Sequence, residues 1–231
     1  MNLRTDIIPL FSSRLSYTAV KDQIVKILPA ATLSVFISLG GAAVTVLVAR
    51  LTDNPIWKLA KDPAEVMGFP AYIGMLSNWG TLLWISTAAI CLFSAVILKQ
   101  HNASASTARF IAFSGLISLF LGLDDIFRLH DNILPRLFHA RERTFYILYF
   151  LIILAYLISF LSKILERDYL LLGGSIFLFA ISRRMFIPLP YFDQFMTTGD
   201  MLKYFGIVFW LAFFYRTSMQ EVSGLMKAKQ I

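Results

Sequence analysis

Residues 110–131 read FIAFSGLISLFLGLDDIFRLHD, and this stretch decides how the chain must be solvated. From Phe110 to Leu123 it carries no charge, and then Asp124 and Asp125 arrive together. A helix of roughly 20 mainly apolar residues crosses the hydrocarbon core of a bilayer. The run from Arg109 to Arg128 satisfies that length and places its two carboxylates at one end.

Comparable runs lie on both sides of it. They cover about 27–49, 79–98, 145–165, 169–187 and 201–217, so the chain reads as an all-α polytopic transmembrane bundle of about six spans. The runs lack the strict alternation of a membrane strand and are each long enough for a helix. On this reading residues 1–26 form a cytoplasmic N-terminal segment, 27–218 the transmembrane domain and 219–231 a polar tail. Charges interrupt the first 26 residues too often for a secretory signal. The connection 50–78, with Pro55, Pro63 and Pro70, predicts a surface-lying cap with a short interfacial helix. Gly40 and Gly41 offer a place for close helix packing in the first span.

Composition agrees. The chain is 58% hydrophobic and 15% charged, with a mean hydropathy of +0.69, whereas soluble domains carry about 25% charged residues. The net charge of +7 comes mostly from basic residues at the ends of apolar runs, where they meet headgroups. No basic patch with interleaved aromatics lies away from the spans, which argues against a nucleic-acid partner. Lysines and arginines divide almost evenly between the two faces. The short loops 99–109 and 163–168 and both tails favour a cytoplasmic N-terminus, in the inner (cytoplasmic) membrane. Cys91, the single cysteine, reads as a small packed hydrophobe.

Six spans sort the connections onto two faces. The loops after spans one, three and five would share Asp53, Asp62, Glu65, Asp124, Asp125, His130, Asp131, His139, Glu142, Asp193 and Asp200. On a straight helix Asp124, Asp125, Arg128 and Asp131 occupy one arc of about 120°. Ser114 and Ser118 lie back along the Asp125 direction, with Gly115 and Gly122 beside them, a stripe that should face the bundle. His130 lies off that arc and joins the acids only if the helix breaks near Leu129, which Asn132 and Pro135 favour.

Ionisable groups inside a span mark a site by default. The expected metal ligands are Asp124, Asp125, His130, Asp131 and Asp200, a hard set suited to one divalent Zn, Mn or Fe. The expected catalytic residues are Asp125, His130, Ser118 and Arg128. Competing readings exist for each. The carboxylates could form structural ion pairs with Arg128, Arg183 or Arg184, and Asp200 could complement a helix start after Thr197 and Thr198. His101 and His139 read as surface residues. Trp57, Tyr72, Trp79, Trp84 and Tyr191 read as interfacial and packing aromatics. No P-loop, GxSxG elbow, HExxH or dinucleotide fingerprint occurs.

At LDDIFRLHD the chain resembles a group of poorly characterised bacterial multi-pass membrane proteins that carry L-D-E-x4-H-E at the end of a span. Asp124, Asp125, His130 and Asp131 match that segment. The likeness extends to Tyr72–Trp84 and to Gly199–Trp210, where Asp200 matches an acid before the last span. More loosely it is similar to the alkaline-ceramidase-like membrane hydrolases. That likeness implies a zinc held by several histidines with a serine and an aspartate in a seven-helix bundle. This chain departs from it in span count and in having one well-placed histidine.

The function expected is a metal-dependent membrane enzyme of hydrolase type, acting on a lipid or other membrane-soluble substrate, with membrane lipids as its surroundings. The alternatives are a cation- or proton-coupled transporter and a non-catalytic structural or assembly subunit.

Overall fold

The computed structural model describes residues 17–182 and 196–228, and every regular element among them is helical. The chain divides into two compact units, one ending at Ile73 and one beginning at Gly74.

The first unit holds α1 (Tyr17–Thr52), α2 (Ile56–Ala60) and α3 (Pro63–Met67). Within α1, residues Ile24–Thr52 are long and apolar enough to cross a membrane. Gly40 and Gly41 have open space where a Cβ would stand, so no element of this unit exploits them for close packing. Two short helices, rather than one, occupy the Pro-rich connection. Asp62 caps α3: its carboxylate accepts the Ala64 N–H at 2.7 Å, Pro63 takes the first helical position, and Gly68 ends the helix at φ 70°.

The second unit is a bundle of α4 (Met75–Gln100), α5 (Ala105–Phe127), α6 (Leu134–Leu137), α7 (Glu142–Ser159), α8 (Leu161–Leu165), α9 (Tyr169–Ser182) and α10 (Met196–Ala228). By length and apolar content α4, α5 and α7 qualify as membrane spans alongside α1, and α9 is a shorter apolar helix. The span expected at 145–165 is interrupted at Phe160, between α7 and α8. Of the span expected at 169–187, residues 183–187 lie outside the described residues. The tail residues 219–228 continue α10 as helix.

Glycines set the approach of the helices. A Cβ on Gly115 would stand 2.8 Å from Leu92 Cγ, and one on Gly122 3.0 Å from Trp84 Cβ, so α4 and α5 run antiparallel in near-backbone contact. Gly80 of α4 faces Ile207 of α10, and Trp84 meets Trp210 edge-on with ring centroids 5.5 Å apart. Gly206 of α10 lies beneath the Phe179 ring of α9, where the Ser175 hydroxyl donates to the Gly206 carbonyl at 2.7 Å. Trp84, Leu98, Phe110, Ile111, Leu172, Trp210, Phe213 and Phe214 form the core between these helices. The Ser/Gly stripe of α5 faces this core as expected: Ser114, Gly115, Ser118 and Gly122 are buried.

Against α5, α7 packs differently. Tyr156 and Ser114 share a hydrogen bond of 2.6 Å, and Tyr149 meets Phe120 edge-on at 5.0 Å, so large side chains bridge this pair of helices. At the far end from Asp124, Arg216 donates to Asp168 at 2.6 Å and Arg167 pairs with Glu221, tying the start of α9 to α10.

Gly115→Val should lower the stability of the detergent-solubilised protein by about 1–3 kcal/mol, because the added carbons must push Leu92 and Cys91 aside. Gly173→Ala, with open space at its Cβ position inside α9, should leave the stability unchanged or raise it by up to about 1 kcal/mol. Denaturant titration of both variants checks the contrast.

Candidate functional site

α5 ends at Phe127 because Arg128 adopts the left-handed conformation, φ 51° and ψ 47°, with its N–H returned to the Asp124 carbonyl. The chain reverses there and enters a π-helical turn, Leu129–Ile133. The reversal swings His130 back over the last turn of α5. Its backbone N–H donates to Asp124 Oδ1 at 2.9 Å, and its imidazole Nδ1 is hydrogen-bonded to Asp124 Oδ2. The Tyr149 hydroxyl of α7 donates to the same Oδ1 at 3.1 Å. Both partners are buried, Asp124 at 5% exposure and His130 at 7%. The His130 ring lies 4.8 Å from the Tyr146 ring and 6.0 Å from that of Tyr149. A carboxylate without water needs donors around it, and three converge here.

Asp125, one residue on, faces another neighbour and forms an ion pair with Lys203 of α10. The helix break anticipated near Leu129 is therefore present and unites His130 with Asp124. That same break removes Arg128 and Asp131 from the straight-helix arc. They pair with each other instead, Arg128 Nη2 donating to Asp131 Oδ2 at 2.9 Å. Ser118 accepts the Trp210 indole N–H at 2.9 Å and donates to the Ser114 carbonyl at 2.8 Å, a packing role in the core. Asp200 lies exposed within α10, four residues past the helix start at Met196. Of the five groups expected as one metal set, Asp124 and His130 pair with each other, Asp125 with Lys203 and Asp131 with Arg128. Among the described residues no group of three or more His, Cys, Asp or Glu side chains is placed to hold a metal ion. Arg183, Arg184, Tyr191 and Asp193 lie outside the described residues.

A cavity of about 390 Å³ opens from this cluster into the bundle between α5, α7, α9 and α10. Asp124, Asp125, His130, Tyr149, Ser182 and Lys203 supply its polar lining. Phe150, Ile153, Leu154, Leu157, Ile176 and Phe179 supply most of the apolar wall. The stretch of α7 from Tyr146 to Leu157 rises about 17 Å, so the cavity is long as well as apolar.

Three contributors escape a reading of the acids alone. Tyr146 and Tyr149 belong to a period-3.6 set on α7, 146/149/150/153/154/157, that marks the helix face turned to the cavity. Lys203 stands early in a long apolar run, and a lysine there has the same claim to an internal partner as an aspartate.

The family model described as "Domain of unknown function (DUF8692)" matches residues 35–217, which include the whole of this cluster. The chain belongs to that family. Neither a curated protein nor a solved structure matches it.

Lys203→Met should destabilise the protein by about 1–3 kcal/mol by leaving Asp125 half-buried and unpaired, a discounted form of the cost of breaking a buried pair. Adding Asp125→Asn should restore most of the loss. A double-mutant cycle on the unfolding midpoints measures the coupling.

Proposed function

We propose that the protein is a membrane-embedded hydrolase that takes an acyl chain of a lipid into the cavity and acts on the lipid's polar end. It sits in the inner membrane with its N-terminus cytoplasmic, the sense that the short loops favour. The observation that carries the reading is the union of one long apolar cavity with one buried Asp–His pair at its end. An apolar wall capped by a few convergent polar groups is the usual form of a ligand site.

On this reading Asp124 accepts the Nδ1–H of His130, which leaves the basic lone pair of the imidazole on Nε2. Tyr149 and the His130 backbone N–H hold the carboxylate in place. His130 removes a proton from water, the water oxygen adds to the acyl carbon, and the proton passes to the departing alcohol oxygen. Lys203 lines the same end of the cavity in its ion pair with Asp125. A divalent ion on Asp124 and His130 would have to replace their mutual hydrogen bond.

Purified protein in lipid nanodiscs should retain about one lipid per chain after washing, detected by extraction and mass spectrometry. His130→Gln should keep that lipid and slow release of free fatty acid by about 10²–10⁴-fold. Ile153→Trp or Ala180→Phe, which fill the cavity from α7 and from α9, should lose the lipid with the unfolding midpoint preserved. Wild-type protein with no retained lipid, or His130→Gln with undiminished turnover, sinks the reading.

A further inference from the structure

The segment that joins the π-helical turn to α7, residues 133–143, reads ILPRLFHARER and connects two residues that line the cavity, His130 and Tyr146. It is a compact turn: the Phe138 N–H donates to the Leu134 carbonyl at 3.0 Å and the Ala140 N–H to the Pro135 carbonyl at 3.1 Å. The Phe138 ring lies 6.2 Å from that of Phe145, which is buried at the base of α7. Yet Ile133, Leu137 and Phe138 are exposed, at 45%, 66% and 63%. Arg136, Arg141 and Arg143 are exposed between and after them. Apolar side chains interleaved with arginines on an ordered turn suit the boundary between acyl chains and headgroups.

The charges around this segment do not cancel. Arg128 is matched by Asp131, and Lys203 by Asp125. Among the described residues no ion pair takes Arg136, Arg141 or Arg143, and Glu142 is the one acid among them. Arg143 stands one turn before Tyr146 on α7, on the face that lines the cavity, and Glu142 flanks it there. Arg143 therefore stands beyond the Tyr146 end of that wall, with Arg141 two residues before it, where the headgroup of a lipid would emerge once its chain lay along Phe150, Ile153 and Leu157. Arginine forks match phosphate oxygens in pairs.

From this we infer that Arg136, Arg141 and Arg143 select an anionic phospholipid of the surrounding leaflet, holding its phosphate at the rim while its chain enters the cavity. The inference rests on the proposed lipid site and names the class of lipid that fills it.

The test uses full-length protein in nanodiscs of zwitterionic phosphatidylcholine containing about one-tenth phosphatidylglycerol, the composition being the probe for headgroup charge. Retained lipid is extracted and weighed against the composition of the disc. Wild-type protein should hold phosphatidylglycerol several-fold above its share, and raising salt should reduce the excess. The variant Arg136→Gln/Arg141→Gln/Arg143→Gln, altered only at exposed positions, should hold the same total lipid without that excess. Wild-type protein that retains lipid in the proportions of the disc overturns the inference and leaves the lipid site standing. An excess that survives in the triple variant overturns it as well. An excess lost in the triple variant but kept in Ile153→Trp would support the rim as the headgroup site and overturn the cavity reading.

Discussion

A carboxylate drawn out of water at the end of an apolar helix must be neutralised or surrounded by donors, and the rest of the second unit is arranged around that demand at Asp124. Its own helix cannot meet it, since the backbone donors there are committed to the ladder. The chain therefore reverses at Arg128 and returns the His130 N–H and imidazole to the two oxygens, while α7 contributes the Tyr149 hydroxyl. A left-handed arginine and a π-helical turn are both locally unfavourable, and each is maintained by what it delivers to the carboxylate. The arrangement is also directional. By occupying Nδ1, Asp124 fixes the direction of the imidazole at the end of the cavity.

Asp125 shows the same demand answered in another way. One residue further round the helix, it faces α10 and meets a lysine. The two adjacent acids thus tie α5 to two different neighbours, and the end of the bundle is cross-linked through them. This also separates their roles. One acid is engaged by neutral donors and an imidazole, the other by a full positive charge.

Much of this was legible in the sequence. Apolar runs locate the helices, because bilayer thickness sets the length of the apolar stretch, but α1 begins ten residues before the expected span and α10 continues to Ala228, past the expected end at 217. The Ser/Gly stripe on α5 faces inward as its spacing requires, and the end of the helix near Leu129 follows from Asn132 and Pro135. What spacing could not supply is the route of the chain after the break. A straight wheel groups Arg128 and Asp131 with Asp124, whereas a left-handed residue at Arg128 sends Asp131 back to its own arginine. Tyr149 and Lys203 were hidden for another reason. Their partners lie 25 and 78 residues away, and a single sequence records no pairing between helices. Ser118 was misread because its neighbours on the wheel are acids while its neighbour in space is Trp210.

The cavity itself follows from a contrast in side-chain size. Where α4 meets α5 and where α9 meets α10, glycines bring backbones together and leave no room between them. Between α5 and α7 the contacts run through whole tyrosines, Tyr149 to Asp124 and Phe120 at one end, Tyr156 to Ser114 and Phe110 at the other. Two aromatic struts hold α7 away from the rest of the bundle while the residues between them, Ile153 and Leu154 among others, face a gap they are too short to close. A chain selected only for packing would fill such a gap with larger side chains, since empty apolar volume costs stability in proportion to its size. Because the struts also carry the hydroxyl that holds Asp124, the feature that opens the cavity and the feature that orders its polar end are one residue, Tyr149. Shortening that strut would let α7 close on α5 and would release the carboxylate in the same step.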